Sequence, residues 1–195
     1  MKPFLSKLSD RRIILASNSP RRQALLRGLE LEFEVRVNSI DETIPADLPA
    51  EYAAAFLSRL KAEGYPDPLA PDEILITADT VVIVNGRILG KPNSEKEAFE
   101  MIKSLSGTSH TVMTAVTIKD HKKSVTLEDE AKVTFRFLDE EEIWHYVRNY
   151  APFDKAGAYG IQEWIGFTGV SSIEGSYFTV MGFPQHLVYQ QLKKW

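Results

Sequence analysis

Residues 13–26 read Ile13-Ile14-Leu15-Ala16-Ser17-Asn18-Ser19-Pro20-Arg21-Arg22-Gln23-Ala24-Leu25-Leu26. The apolar residues at its start predict a short buried strand. The polar residues in the middle predict a turn, and the residues at its end predict a helix. Ser19 is a favourable N-cap, and Pro20 suits the first helical position because its missing N–H would be unpaired there in any case. Gly28 predicts the end of the helix. We therefore expect a strand–turn–helix unit, around which the rest of the chain is organised.

The polar turn has the chemistry of an anion site. The hydroxyls of Ser17 and Ser19 and the guanidinium groups of Arg21 and Arg22 surround one helix start, whose backbone N–H groups attract anions. Two arginines in a first helical turn oppose the helix dipole, and a bound polyphosphate would compensate for them. A solvated arginine pair on an ordinary turn is the alternative, and the turn alone leaves both open.

Composition excludes several classes of protein. The chain has 195 residues, 44% hydrophobic and 26% charged, which fits one domain, folded as two lobes about a cleft. A net charge of −4 argues against nucleic acid as a partner, and zero cysteines exclude disulfides and thiolate catalysis. The start lacks the apolar core of a signal peptide, and no apolar run is long enough to cross a membrane. We expect a cytoplasmic protein.

The next segments place two further groups of charged residues. Residues 33–37 alternate as a strand and lead into a polar loop that holds Asp41 and Glu42. A helix is predicted from Ala50 to Ala62, and its last turn contains Lys61. Its position alone favours stabilisation of the helix dipole as the role of this lysine.

The most strand-like segment, residues 74–84, contains Asp79. Its β-branched run predicts a central strand, in which an aspartate is costly unless it is paired or solvated by a cleft. We expect Asp79 to belong to a functional site; the alternative is a carboxylate that caps a neighbouring turn. A hairpin turn at Asn85-Gly86 follows, and then Gly90-Lys91-Pro92. Residues 86–91 do not fit a P-loop, because the spacing is one residue short and Pro92 stands where Ser or Thr would bind magnesium.

The second half of the chain predicts helices and strands in alternation. Residues 94–97 predict a capping box that opens a helix through Leu105. Residues 139–142 predict a second capping box, for a helix through Tyr150, and we favour this interpretation of the acidic residues over a metal-binding cluster. Residues 110–118 and 131–137 are predicted as strands joined by a charged hairpin over residues 119–129, and residues 182–195 as a closing helix. The four histidines show no metal or triad spacing.

A third candidate stretch is Asp154-Lys155-Ala156-Gly157-Ala158-Tyr159-Gly160-Ile161-Gln162. Its glycines allow a backbone to approach a ligand closely, and Gln162 offers both a donor and an acceptor. A glycine-rich bend between a helix and a strand is the alternative.

Taken together, five motifs resemble the Maf family: residues 17–22, Asp41-Glu42, Ala78-Asp79-Thr80, Gly90-Lys91-Pro92 and residues 154–162. The resemblance runs from about Ile13 to the C-terminus. It implies a nucleoside triphosphate pyrophosphatase of the inosine triphosphate pyrophosphatase superfamily. The implied fold is α/β, with a long mixed β-sheet flanked by helices, in one Maf-like domain over residues 1–195 with two lobes around a central nucleotide cleft.

The resemblance also implies a reaction and roles for residues. A nucleoside triphosphate and water give the monophosphate and pyrophosphate, with a divalent cation (Mg²⁺ or Mn²⁺), commonly in a homodimer. The implied roles are catalysis for Asp79, selection of dTTP and UTP for Arg21, Thr80 and Gln162, phosphate binding for Ser17, Ser19, Arg22, Lys61, Lys91 and Lys155, and metal binding for Glu42 and Asp79. The sequence departs from the family pattern at Glu163-Trp164 and over residues 175–184.

Three functional hypotheses follow. The first is a pyrophosphatase that removes nucleoside triphosphates, including modified pyrimidine nucleotides, from the nucleotide pool. The second is a nucleotide-binding regulator of cell division or septum formation without catalysis. The third is a phosphatase that releases orthophosphate. Paired carboxylates beside a polyanion favour catalysis, because binding alone does not need them.

Overall fold

The computed structural model describes residue 5, residues 8–66 and residues 68–195. Its strands are β1 (Arg12–Leu15), β2 (Phe33–Val35), β3 (Glu73–Val84), β4 (Arg87–Leu89), β5 (Ser109–Lys119), β6 (Ser124–Phe135) and β7 (Val170–Gly175). Its α-helices are α1 (Pro20–Arg27), α2 (Ala53–Glu63), α3 (Glu95–Leu105), α4 (Glu140–Tyr150), α5 (Trp164–Gly169), α6 (Tyr177–Val180) and α7 (Gln185–Leu192). Short 3₁₀ turns cover Ala50–Tyr52 and Ala156–Ala158.

The seven strands form one mixed sheet in the order β2-β1-β3-β5-β6-β7, with β4 paired to β3. β1 lies parallel to β2 and to β3, whereas the β3–β4 and β6–β7 pairs are antiparallel. Every residue of β3 from Glu73 to Asp79 is buried, as its β-branched run predicts for a central strand. The predicted α/β class with a mixed sheet and helices is confirmed.

The chain divides into two compact units. The first unit comprises residues 1–79, 114–129 and 182–195. In it, Ile14 of β1, Leu75 of β3 and Ala62 of α2 form a buried apolar cluster. This packing fixes the carboxyl end of β1, and therefore the turn that follows it, against β3 and α2.

The second unit comprises residues 80–113 and 130–181. Its larger core packs apolar side chains of β3, α3, β5, β6 and α4 together with the stretch that ends at Ile161. Phe135 and Tyr146 are its largest fully buried side chains. Burying rings of this size contributes about 2–3 kcal/mol each, and it fixes the surroundings of residues 154–162.

The βα unit at the start of the chain is confirmed. Pro20 opens α1, the Ser19 hydroxyl accepts from the Arg22 N–H, and Gly28 ends the helix by donating its N–H to Ala24 O at 3.0 Å. α4 likewise begins with the predicted reciprocal capping box of Asp139 and Glu142. The hairpin predicted at Asn85-Gly86 joins β3 to β4.

Several predictions about the elements were wrong. The charged stretch 119–129 is not a long hairpin, because β6 already begins at Ser124. The residues of this first half of β6 are exposed or only partly buried, and such a strand accepts charged residues without cost. The box predicted at residues 94–97 is half formed: the Ser94 hydroxyl caps α3 by accepting from the Glu97 N–H, but Glu97 accepts from the N–H of Asn93 where a complete box requires that of Ser94.

The remaining differences concern the ends of elements and one missed region. β2 ends at Val35 and β6 at Phe135, two residues earlier than predicted in each case, and α2 is preceded by the 3₁₀ turn. The sequence analysis assigned no element to residues 163–181, where α5, β7 and α6 lie. Among the helices in the described part of the chain, none is long and apolar enough to span a membrane.

Candidate functional site

The turn between β1 and α1 is held by its own serines. The Ser17 Oγ accepts from the Ser19 N–H at 3.2 Å, and the Ser19 Oγ accepts from the Arg22 N–H at 3.5 Å. Ser17 is buried. These two bonds order the turn, and a preformed turn lowers the entropic cost of presenting the helix start to an anion.

Arg22 donates hydrogen bonds to two backbone carbonyl groups in addition to carrying a positive charge. Its Nη1 donates to Ala78 O at 2.8 Å, and its Nε donates to Gly182 O at 3.0 Å. Burial lowers the pKa of Arg22, and the negative charge of Asp79 opposes that effect. Because Ala78 immediately precedes Asp79, the arginine fixes the backbone from which the candidate catalytic side chain projects.

Three of the candidate residues form an ion-paired cluster in the first unit. The Lys61 ammonium binds Asp79 Oδ2 and lies 2.9 Å from Glu42 Oε2. α2 supplies the lysine, β3 supplies the almost buried aspartate, and the loop after β2 supplies the exposed glutamate. The buried carboxylate in the central strand is thus paired, as the cost of burying an unpaired charge requires.

The adjacent acids of the polar loop have different partners. Asp41 Oδ1 accepts from the Thr43 hydroxyl at 2.6 Å and from the Thr43 N–H at 3.0 Å. These two bonds hold the pKa of Asp41 below its usual value. Asp41 closes a local turn, and Glu42 is the one of the two that contacts Lys61.

The chemistry of the cluster fits a divalent cation. Glu42 and Asp79 direct one carboxylate each at a single ammonium group, which a cation of higher charge could replace. Mg²⁺ and Mn²⁺ take oxygen ligands, and Mg²⁺ is commonly bound by one or two carboxylates together with substrate phosphates. Over residues 8–66 and 68–195 there is no group of three or more His, Cys, Asp or Glu side chains that could together hold a metal ion.

In the second unit, the structure brings two predicted stretches together. The Gly157 N–H donates to Gly90 O at 3.0 Å, so the segment with Lys91 lies against residues 154–162. Gly157 has a φ of +69°, and a Cβ there would lie 3.0 Å from both methyl groups of Val82. A glycine is required at this position for its conformation and for its close approach to β3.

The remaining candidate residues of the second unit differ in exposure. Lys91 is exposed, and Thr80, which follows Asp79 in β3, is half-buried. Lys155 is buried and pairs with Asp154 Oδ1 at 2.7 Å and Glu163 Oε1 at 3.1 Å. Gln162 Oε1 is buried and accepts no hydrogen bond from any described residue. A buried acceptor without a donor is costly in free energy.

Two residues of this region were not predicted as functional. The hydroxyl of Tyr146 on α4 donates to Glu163 Oε2 and accepts from the Gly160 N–H at 3.0 Å. Glu163 was noted only as a departure from a family pattern. No signal in the sequence singles out Tyr146, because its contact partners lie 14 and 17 residues away.

Comparisons with known proteins identify the family. The family model described as Maf-like protein matches residues 12–195.

The chain belongs to the Maf-like protein family.

Its relatives are similar over nearly their whole length. A dTTP/UTP pyrophosphatase of Flavobacterium johnsoniae is 48% identical over 95% of this Maf-like chain and 96% of its own. A dTTP/UTP pyrophosphatase of Bacteroides thetaiotaomicron is 49% identical over 98% of this chain and 100% of its own. Among solved structures, the Staphylococcus aureus Ham1 protein aligns with a TM-score of 0.39 and 15% identity, over 64% of this chain and 72% of that chain.

Proposed function

We propose that this chain is a nucleoside triphosphate pyrophosphatase that converts dTTP and UTP to the monophosphate and pyrophosphate. The observation that carries the proposal is the cluster of Asp79, Lys61 and Glu42, because two carboxylates around one cation suit metal-assisted phosphoryl chemistry. The relatives named dTTP/UTP pyrophosphatase support the choice of substrate, since they are nearly half identical to this chain throughout.

Phosphate binding is proposed for the start of α1 and for the nearby cations. The ordered Ser17–Ser19 turn presents helix N–H groups to an anion, and Arg22 and Lys61 add positive charge in the same unit. Lys91 and Lys155 of the second unit are proposed as further phosphate contacts. Positive groups of this kind stabilise the charge that develops on a leaving pyrophosphate.

Glu42 and Asp79 are proposed as the protein ligands of Mg²⁺ or Mn²⁺. When bound, the cation neutralises charge on the phosphoryl oxygens. In this scheme Lys61 would contact a phosphate oxygen, because a divalent cation held by Glu42 and Asp79 would compete with its ammonium group for the same acids.

Asp79 is proposed to orient the attacking water and to accept its proton. The water oxygen bonds to the α-phosphorus while the bond from that phosphorus to the α–β bridging oxygen breaks. The bridging oxygen leaves with pyrophosphate, and the water proton resides on the Asp79 carboxylate until solvent removes it. The Arg22 contact to Ala78 O keeps this carboxylate in place.

Gln162 is proposed to read the pyrimidine ring. Its buried Oε1 has no donor within the described part of the chain, and the imide N3–H of thymine or uracil would provide one. Cytosine carries an acceptor at the same ring position and would leave the amide oxygen unpaired. Thr80 and Arg21 are proposed as further contacts for base selection.

One assay separates this function from its competitors. The chain is incubated with dTTP, UTP, CTP, GTP and ATP in the presence of Mg²⁺ or Mn²⁺, and pyrophosphate and orthophosphate are measured separately. Pyrophosphate in a 1:1 ratio to monophosphate, with dTTP and UTP fastest, is the expected result. Orthophosphate as the first product would identify a phosphatase, and tight nucleotide binding without product would identify a non-catalytic regulator.

A cytoplasmic homodimer that acts on the free nucleotide pool, including modified pyrimidine triphosphates, completes the proposal. Size-exclusion chromatography with light scattering tests the dimer, and a panel of pyrimidine triphosphates with substituted bases tests the substrate range.

A further inference from the structure

A four-residue turn carries Gln162. The Glu163 N–H donates to Gly160 O at 3.0 Å, which closes a turn over residues 160–163 with Gln162 as its third residue. The turn is compact: a Cβ on Gly160 would lie 2.8 Å from Glu163 Cδ and 2.9 Å from Gln162 Nε2. The amide of Gln162 and the carboxylate of Glu163 are thus packed over the Cα of Gly160.

One hydroxyl group binds both ends of this turn. Tyr146 OH donates to the carboxylate of Glu163 and accepts from the N–H of Gly160 at 3.0 Å. Tyr146 is fully buried, and its ring stacks on Tyr150 within the same helix. The first and last residues of the turn are therefore tied to a side chain that the core of the second unit holds rigidly.

The same network extends to a buried cation. The second carboxylate oxygen of Glu163 lies 3.1 Å from Lys155 Nζ, which also binds the exposed Asp154. Burial and the negative charge of Glu163 both raise the pKa of Tyr146, so the hydroxyl keeps its proton and remains a donor to Glu163. Tyr146, Glu163 and Lys155 thus form a chain of contacts in which no member can move independently.

We propose that Tyr146 and Glu163 are positioning residues for base selection, which hold the turn of Gln162 so that its amide oxygen meets the imide N–H of the pyrimidine. The inference rests on the proposed function, because it assigns a support to the residue proposed to read the base. Neither residue needs to touch the nucleotide. Their effect is on the orientation of Gln162 and on the location of the Lys155 ammonium.

The test is Tyr146→Phe, which keeps the packed ring and removes the hydroxyl. Two quantities are measured in the full-length chain: the exchange rate of the Gly160 amide hydrogen without nucleotide, and the ratio of kcat/KM for UTP to that for CTP. We expect faster Gly160 exchange and a fall of about tenfold or more in the ratio, because a small displacement of a positioning group costs up to about a hundredfold. Tyr150→Phe, the same change on the stacked neighbour, is the matched control and leaves both quantities unchanged.

The outcomes distinguish this inference from the function on which it rests. If the unsubstituted chain releases no pyrophosphate from UTP or dTTP, the proposed function is wrong and the inference falls with it. If the unsubstituted chain does release pyrophosphate, an unchanged UTP-to-CTP ratio in Tyr146→Phe overturns the inference and leaves the proposed function in place. Faster exchange with an unchanged ratio also overturns it, because Tyr146 would then be merely structural.

Glu163→Gln is a second variant, which leaves the packed tyrosine ring intact. It removes the negative charge that faces Lys155 and retains one acceptor for Tyr146. We expect a lower UTP-to-CTP ratio and a higher KM for UTP, in a chain that still folds because Lys155 keeps its contact with Asp154, with a lower unfolding midpoint because a buried ion pair is lost. A ratio equal to that of the unsubstituted chain contradicts the inference even if Tyr146→Phe does not fold.

Discussion

Lys61 and Asp79 form an ion pair between α2 and the central strand β3, and the same ammonium group lies 2.9 Å from Glu42. Two carboxylates that face one positive charge are a donor set that suits a divalent metal ion. The chain therefore stabilises its own acidic cluster with an internal cation. The proposed reaction requires this internal cation to give way to a metal ion and to contact the substrate's phosphates.

Lys61→Met is expected to increase the stabilisation that Mn²⁺ or Mg²⁺ confers on the nucleotide-free chain, because no internal ammonium competes for the two carboxylates. Turnover falls in the same variant, since a phosphate contact is lost. Thermal unfolding with increasing metal concentration measures the first effect. Arg59→Met, which removes an exposed cation from the same helix, is the control; equal metal-induced shifts in both variants would contradict competition at the cluster.

Asp79→Asn is expected to lower pyrophosphate release by about 10²–10⁴-fold, the usual contribution of a positioned general base. Nucleotide binding persists, because Arg22, Lys61 and the start of α1 are unchanged. Turnover and calorimetric binding of UTP are compared with those of Asp47→Asn, the same change at an exposed loop position. Turnover equal to that of the control would remove Asp79 from the mechanism.

Gln162→Ala is expected to relax the choice of base. The variant loses the acceptor that the imide of uracil or thymine satisfies, so kcat/KM for UTP falls while that for CTP is retained or rises. We expect the ratio of kcat/KM for UTP to that for CTP to fall by about tenfold or more. Gln190→Ala, at an exposed position on α7, serves as control. The base-reading role is wrong if UTP keeps its advantage over both CTP and GTP.

His110 is expected to make the folded chain sensitive to mild acid. Its Nε2 lies 2.7 Å from Tyr159 OH, its Nδ1 has no hydrogen-bond partner among the described residues, and burial lowers the pKa of His110 to about 4. Between pH of about 6.5 and about 4 the unfolded chain binds a proton that the folded chain excludes, so the free energy of unfolding falls as pH falls, by about 3 kcal/mol in total.

Denaturant unfolding at several pH values measures this dependence. His110→Gln, which is neutral throughout and can still bond to Tyr159, is expected to lose most of the dependence between those two pH values. His121→Gln, at an exposed position between β5 and β6, is expected to retain it. An unchanged profile in His110→Gln would mean that other groups dominate the acid response.

Local sequence signals predicted the elements that depend on neighbouring residues. The N-cap at Ser19, the Asn85-Gly86 hairpin and the box of Asp139 and Glu142 are formed as predicted, because each is satisfied within a few residues. The start of β6 was missed for a related reason. A strand with a polar, partly exposed face has the composition of a loop, and only its pairing partners distinguish the two.

The candidate site was predictable in its residue types and not in its contacts. An aspartate within an apolar strand had to be paired, and the structure pairs Asp79 with Lys61, 18 residues earlier in the chain. The lysine's location in the last turn of α2 had favoured a role in stabilising the helix dipole. The sequence likewise did not decide whether Asp41 or Glu42 contacts the lysine. The structure shows that Asp41 closes a local turn and that Glu42 makes the contact.

The sequence by itself determined the family, the α/β class and most of the residues proposed to act on a nucleotide, because short motifs and periodic burial encode local conformation directly. Only the tertiary structure decided that Arg22 holds the carbonyls of Ala78 and Gly182, 56 and 160 residues away, and that Tyr146 ties both ends of the Gln162 turn. Such contacts depend on how distant elements pack, and the hydrogen-bonding capacity of a side chain does not specify which distant group will satisfy it.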